Sequence, residues 1–271
     1  MKAKAEQGCS TEHLAYLKGL QRRHAFVVAM RYAILVLFLV LWEVGARLHW
    51  IDSFVTSSPS RVMETLSSLY QQGMLFEHVW VTLYETVVSF VLGTLVGIFI
   101  AILLWWSPTL NKILDPYLVV FNALPKIALG PILIVWIGAS TSSIIAMGLL
   151  ISLIVTILTV LTGFNEISEE KQMFMRTLGA TRMQVFTMAV LPASIPTMMS
   201  ALKLSVGMSW VGVIVGEYLV SKAGLGYLIV YGGQVFQLNL VMASILVLCV
   251  LAAVMYYIVA YFERKLVRWK S

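Results

Sequence analysis

The sequence predicts an all-α polytopic membrane protein with six transmembrane helices, and three observations lead to that prediction. Hydrophobic residues make up 60% of the 271 positions and charged residues 12%, which is about half the charged fraction of a soluble domain. The apolar residues fall into long runs, and about 20 apolar residues suffice to span a bilayer as a helix. The basic residues are concentrated on one side of those runs, in agreement with the positive-inside rule.

Six apolar runs define the spans, and polar segments join them. In segment 50–79, Pro59 suits the first turn of a short amphipathic surface helix. Region 217–239 is rich in glycine and is predicted to form turns around a short apolar helix. We place the spans at residues 30–49, 80–106, 117–138, 142–164, 192–216 and 240–262.

The third run is interrupted by Pro125, Gly130 and Pro131. Proline frees a backbone carbonyl, which a membrane protein tolerates where protein or water satisfies it. This pattern predicts either a broken helix that lines a permeation path or a kink that fits the bundle, and the sequence favours neither. Ordinary close packing of helices is the preferred interpretation of two glycine spacings, Gly93 with Gly97 and Gly212 with Gly216.

The basic residues predict that both termini lie in the cytoplasm. Fourteen lysines and arginines fall on the side of the N-terminus, and only Arg47, Arg61 and Lys222 fall on the other. The membrane therefore accounts for the net charge of +6 without a nucleic-acid partner. We expect a cytoplasmic arm at 1–29, one transmembrane domain at 30–264 and a cytoplasmic tail at 265–271. The two cysteines, Cys9 and Cys249, are interpreted as free thiols.

Segment 165–191 is predicted to be a cytoplasmic helix–turn–helix. Asn165 is expected to cap the first helix, and Gly179 suits the left-handed position that ends it. Thr181 is expected to cap a second helix, which Pro192 limits. Several large apolar side chains lie in a segment with little core of its own, and an exposed patch of that kind favours docking over simple coverage of a loop. Among them are Met173, Phe174, Met175 and Leu178.

This segment resembles the cytoplasmic coupling motif of permease subunits in binding-protein-dependent ABC importers. The family pattern is Glu-Ala-Ala, three residues, Gly, nine residues, Ile, one residue and Leu-Pro. Gly179, Leu191 and Pro192 stand at that spacing, while Met173-Phe174-Met175 replaces Glu-Ala-Ala and Ala189 replaces Ile. Four further stretches resemble the nitrate, sulfonate and taurine branch of the family: Ser58–Val62, Leu124–Pro131, Arg176–Ala180 and Ala223–Ile229.

The resemblance implies a type I ABC importer permease fold in a bacterial inner membrane. It implies a homodimeric pore that receives a solute from a periplasmic or lipid-anchored binding protein and couples to a pair of cytoplasmic ATPase subunits. The chain contains no Gly-x-x-x-x-Gly-Lys-Ser/Thr loop, so ATP hydrolysis is expected on the partner subunit. The resemblance assigns ATPase coupling to Met173, Phe174, Met175, Leu178, Gly179, Leu191 and Pro192.

The solute class follows from the same resemblance. The branch handles small anions and zwitterions of the nitrate, sulfonate or taurine type, and some relatives carry vitamin precursors or aromatic acids, which is the alternative. Neutral polar residues in or near the spans are candidates for the translocation path, although hydrogen bonding between helices explains them equally well. They are Asn122, Ser205, Ser209 and Trp210.

Ionisable residues near the spans have other expected roles. Glu43 and Glu85 lie toward the outer ends of the first two spans, which favours packing or interface roles, and Glu217 follows the fifth span. Lys126 and Lys203 are positioned to snorkel toward the cytoplasmic headgroups.

A membrane enzyme is disfavoured, because the four histidines lie outside the middle of the spans. We expect no cofactor or metal. A channel fits the composition but gives no reason for the spacing from Gly179 to Pro192.

Overall fold

Every regular element in the described part of the chain is a helix, which confirms the all-α prediction. The computed structural model describes residues 11–48, 50, 52 and 56–267. The α-helices are α1 Thr11–Arg47, α2 Pro59–Gln71, α3 Met74–Trp106, α4 Pro108–Ala123, α5 Gly130–Ile137, α6 Thr141–Asn165, α7 Glu169–Thr177, α8 Arg182–Val185, α9 Leu191–Val220, α10 Leu225–Gln234 and α11 Leu238–Leu266. A 3₁₀ turn covers Lys126–Leu129, and a π turn covers Phe186–Val190.

Five helical stretches are long and apolar enough to cross a membrane, namely Arg22–Arg47, Met74–Trp106, Thr141–Asn165, Arg182–Val220 and Leu238–Leu266. The predicted third span is instead a pair, Pro108–Ala123 and Lys126–Ile137, bent by 90° at its break. The count reaches six if this pair is one span. Leu124, which precedes Pro125, adopts an extended conformation with ψ 138°, as the steric demand of proline on its predecessor requires.

The short elements predicted outside the spans are also present. Pro59 is the first residue of α2, and α10 is the short apolar helix expected between 217 and 239. Residues 11–29 of the predicted N-terminal arm belong to α1, whereas residues 1–10 and 268–271 lie outside the described residues. Cys249 is a free, exposed thiol, and Cys9 falls in the part that is not described.

The chain divides into two compact units, residues 1–64 and 65–271. In the first unit, none of the apolar window of α1 is buried inside the protein, as expected of a helix whose side chains face lipid. Near the end of α1, Glu43 accepts hydrogen bonds from Arg47 Nε at 2.7 Å and from the backbone N–H and hydroxyl of Ser60 at 3.1 and 3.0 Å. Glu43 therefore has the structural role that the sequence predicts.

In the second unit, α6 packs closely along both α3 and α9. A Cβ atom on Gly97 of α3 would lie 2.8 Å from Thr156, and one on Gly212 of α9 would lie 2.5 Å from Gly148 Cα. Both glycine spacings of the sequence thus face α6 and allow the backbones to approach, which confirms the packing interpretation. The same helices support two apolar clusters, one beside residues 165–191 and one beside α10 and α11.

Candidate functional site

Segment 165–191 contains α7 and α8, which lead through the π turn into α9. α7 begins after Ser168, with Glu169 and Glu170 in its first turn and Arg176 in its last. In these positions each charge interacts favourably with the helix dipole. The predicted cap at Asn165 is wrong, because Asn165 is the last residue of α6. The apolar run of α6 extends the helix through a residue whose local preference favours a cap.

The turn after α7 is closed by backbone hydrogen bonds around Gly179. The Gly179 N–H donates to Arg176 O at 2.9 Å, and the Ala180 N–H donates to Met175 O at 3.1 Å. Gly179 has φ +85°, so these bonds form the Schellman motif that glycine favours at a helix C-terminus. Apart from Gly179 and its two chain neighbours, no described residue has an atom within 4 Å of the place where a Cβ would be, so conformation rather than space selects glycine here.

Thr181 begins α8 with a reciprocal capping box, as predicted. Its hydroxyl accepts from Gln184 N–H at 3.3 Å, and its own N–H donates to Gln184 Oε1 at 2.7 Å. The prediction that Pro192 limits this helix is wrong, because the helical stretch runs unbroken from Arg182 to Val220. The Leu191 N–H donates to Phe186 O, and this wider π turn accommodates the proline at the start of α9.

An apolar patch, formed by Met173, Phe174 and Leu178, lies on the surface of this segment. Their side chains are 64%, 65% and 72% exposed. Met175 instead packs against the apolar cluster beneath the segment, as does Leu191. Five of the seven residues assigned to coupling therefore fall into a surface set of three and a supporting set of two, which the spacing of the motif did not distinguish.

An arginine and an aromatic cluster attach the segment to the end of α3. The Arg182 guanidinium lies 5.6 Å from the ring centroid of Trp105 and 5.5 Å from that of Trp106, and it donates to Trp105 O at 3.4 Å. Phe186 packs against Trp105 at 4.9 Å and against Phe164 at 5.5 Å between centroids. Arg182 is not among the residues that the motif singles out; the adjacent tryptophans at the end of a span are the one sequence signal for its contacts.

A cavity of about 430 Å³ lies between this segment and the ends of α3, α4 and α6. Charged and amide side chains dominate its wall beside a few apolar ones, so the patch borders a polar recess. The residues lining it are Leu104, Trp105, Pro108, Asn111, Asn165, Glu169, Gln172, Met173, Arg176 and Arg182.

Three of the four candidate path residues lie together on α9. Ser205, Ser209 and Trp210 are all buried, while Asn122 is exposed on α4. Ser205 Oγ is 2.5 Å from Thr156 Oγ1 of α6, a hydrogen bond between helices of the kind weighed as the alternative. Ser209 Oγ and Trp210 Nε1 have no hydrogen-bond partner among the described residues.

The two lysines near the spans differ in their contacts. Lys203 Nζ lies 2.9 Å from both carboxylate oxygens of Glu263 on α11, so an ion pair within the protein replaces the predicted snorkelling. Lys126 Nζ donates to Asn122 O at 3.0 Å. Within the described ranges, no three His, Cys, Asp or Glu side chains are grouped to hold a metal ion.

Comparison with known proteins gives a family, curated relatives and a fold. Residues 93–268 match the family described as "binding-protein-dependent transport system inner membrane component". The chain is 28% identical over 86% of its length to the Bacillus subtilis permease named for aliphatic sulfonates transport, SsuC, and covers 84% of that protein. It is 24% identical over 89% of its length to the Escherichia coli taurine transport system permease protein TauC, and covers 90% of it.

A solved structure has the same fold. A chain of the MetNI methionine ABC transporter, in an inward-facing conformation, aligns with a TM-score of 0.63. The alignment covers 72% of this chain and 97% of that chain at 19% identity, a level at which the likeness concerns the fold alone.

Proposed function

The chain belongs to the family of inner-membrane components of binding-protein-dependent transport systems, the permease subunits of ABC importers, and from that premise we propose how it works. Two copies form the pore, and a separate ATPase pair drives a small anionic or zwitterionic solute inward. A binding protein delivers the solute. The division into a cytoplasmic arm, a transmembrane domain and a cytoplasmic tail is part of this proposal, as is the cytoplasmic position of both termini.

The apolar patch is the proposed ATPase-docking surface. The observation that carries the proposal is the exposure of Met173, Phe174 and Leu178, which lie on or directly after a nine-residue helix. Clustered apolar side chains without a partner are unfavourable in water. The Gly179 turn and the Thr181 capping box hold α7 and α8 in a fixed relation. Closure of the ATPase dimer then displaces both helices together.

The displacement has two routes into the membrane. One is the continuous helical stretch from Arg182 to Val220, which contains the buried polar residues of α9. The other is Arg182, whose contacts with Trp105 and Trp106 reach the end of α3. Because α3, α6 and α9 pack closely, a shift of α8 moves the core helices of the pore. The names of the curated relatives support a sulfonate or taurine type of solute, and Ser209 and Trp210 are the proposed path residues.

Replacing Phe174 tests the docking proposal. Phe174→Asp places a charge where the ATPase groove would bury it, which is costly unless the charge is paired. We expect loss of ATP-driven uptake into proteoliposomes and at least about a tenfold weaker association with the ATPase. Phe174→Leu keeps an apolar side chain and is the matched control. Equal uptake and association for the Asp and Leu variants would exclude this surface as the docking site.

Cysteine labelling tests the orientation. Single cysteines at Ser168 and Ser221 stand on opposite sides of the membrane if the termini are cytoplasmic. An impermeant reagent added to intact cells is expected to label position 221 and leave position 168 unlabelled. The reverse pattern would overturn the orientation without affecting the family assignment.

A further inference from the structure

The first turn of α10 is capped by side chains from other helices. The Gly224 N–H donates to His78 Nδ1 at 2.9 Å, and the Leu225 N–H donates to Thr82 Oγ1 at 2.7 Å. His78 and Thr82 lie one turn apart on α3. One face of α3 therefore supplies acceptors for two of the N–H groups that have no partner within a helix at its start.

Glu217, near the end of α9, meets the next N–H groups. Its Oε2 accepts from the Gly226 N–H at 2.5 Å, and the Tyr227 N–H also interacts with this carboxyl group. A Cβ on Gly224, which has φ +115°, would lie 2.6 Å from the Glu217 carboxyl atoms. The turn is thus built around this carboxyl group, and a negative charge on it is favoured by the positive end of the α10 dipole.

Glu85 of α3 lies against the same carboxyl group. Its side chain is 1% exposed, and neither of its oxygens has a hydrogen-bond donor among the described residues. Thr141 at the start of α6 is nearby without reaching hydrogen-bond geometry. Oε1 of Glu217 also lacks a donor within that part of the chain.

Three buried oxygens on the two facing carboxyl groups have no hydrogen-bond partner among the described residues, which disfavours two carboxylates. An ionised carboxylate only accepts hydrogen bonds, whereas a protonated one also donates. Two charges in this position repel each other and remain unpaired in a medium of low dielectric constant. One proton removes the repulsion and supplies a donor to the unpaired oxygen of Glu217.

We propose that Glu85 and Glu217 bind a single proton, held on Glu85, whose O–H donates to Glu217. Glu217 then remains the anion that caps α10, and Glu85 is a positioning residue that acts through it. This acid pair lies at the C-terminal end of α9, about 40 Å along a 30-residue helix from the coupling segment. It ties α3 and α9 to α10 and does not depend on the docking proposal.

Infrared spectroscopy tests the proton directly. We expect the intact transporter in lipid nanodiscs to show the carbonyl band of a protonated carboxylic acid, and Glu85→Gln to remove it. The control is Glu43→Gln, because Glu43 already accepts from Arg47 and Ser60 and is expected to be ionised. If Glu85→Gln removes no acid band, the pair is ionised and holds a cation or water, and the proposal is wrong.

Hydrogen exchange tests the positioning role in the same complex. In the Glu85→Gln variant the glutamine amide replaces the acid as a donor, so amide exchange in residues 221–234 is expected to stay within about twofold of the unaltered protein. Glu217→Leu removes the acceptor and is expected to raise exchange there at least about tenfold. An equal rise in both variants would mean that Glu85 acts as an anion, contrary to the proposal. Because neither readout requires transport, failure here is distinguishable from failure of the proposed function.

Discussion

The two ends of α9 are built in opposite ways. Before its start, local backbone motifs at Gly179 and Thr181 shape a segment that leaves Met173, Phe174 and Leu178 exposed. After its end, buried side chains from α3 and α9 satisfy the turn into α10. The turns of the first arrangement are closed by hydrogen bonds within the segment itself, and its outer side presents a surface. The turn of the second is closed by side chains of other helices. One helix, α9, therefore joins the proposed docking segment, residues 165–191, to a turn that buried side chains hold in place.

The largest effect is expected at the anchored end. Gly224→Ala introduces a Cβ that would lie 2.6 Å from the Glu217 carboxyl atoms, at φ +115°. Backbone strain and overpacking together are expected to destabilise the protein by about 2–4 kcal/mol. Thermal unfolding of the purified protein measures this change.

The control lies within α10, the helix that Gly224 precedes. A Cβ on Gly233 would meet no atom of the described residues within 4 Å, and the φ of Gly233 is not positive. Gly233→Ala should therefore change stability by less than about 1 kcal/mol. Similar losses in both variants would contradict the tight turn around Glu217.

Replacing Arg182, in the proposed docking segment, is expected to have an intermediate effect on stability. Arg182→Ala removes its contacts with the rings of Trp105 and Trp106 and the hydrogen bond to Trp105 O. We expect a loss of about 1–2 kcal/mol of local stability, seen as faster hydrogen exchange in residues 165–191. Arg182→Lys keeps the charge and is expected to retain part of the protection. Unchanged exchange in Arg182→Ala would mean that the segment does not depend on the end of α3.

The smallest stability change is expected at Gly179. A Cβ there meets no described atom within 4 Å, so Gly179→Ala is expected to cost only about 1 kcal/mol, through its φ of +85°. The substitution nevertheless changes the shape of the proposed docking segment, residues 165–191. We therefore expect a larger loss of free energy in ATPase association than in stability. Gly179→Asn is the control, because asparagine tolerates the left-handed region. A stability loss as large as that of Gly224→Ala would remove the contrast between the two ends.

Sequence reasoning succeeded where the physical cause is local. The left-handed turn at Gly179, the cap at Thr181 and the break at Pro125 each follow from the conformational preference of one residue. It failed at Asn165, which is the last residue of α6 instead of a cap on α7, and at Pro192, where the helical stretch continues through a residue that was expected to limit it. Preferences of single residues are weak compared with the packing of a buried helix.

The contacts between distant residues could not be predicted in this way. Arg182 reaches Trp105 across 77 positions, and Glu217 lies against Glu85 from another helix. Nothing in the spacing of either pair indicates a neighbour, because helix packing alone decides which faces meet. The sequence placed Glu85 and Glu217 near the same side of the membrane, and the structure brings their carboxyl groups together.

The π turn at Phe186–Val190 has a geometric consequence for the proposed docking segment. A π turn contains one residue more than an α turn, and one residue corresponds to about 100° of rotation about a helix axis. The wider turn takes up that extra residue within about one turn, so α8 keeps nearly the direction that a continuous α-helix would give it. Val185 and Phe186 therefore stay in the core, and removing one residue at 186–190 would restore α-helical geometry there with little rotation of α8.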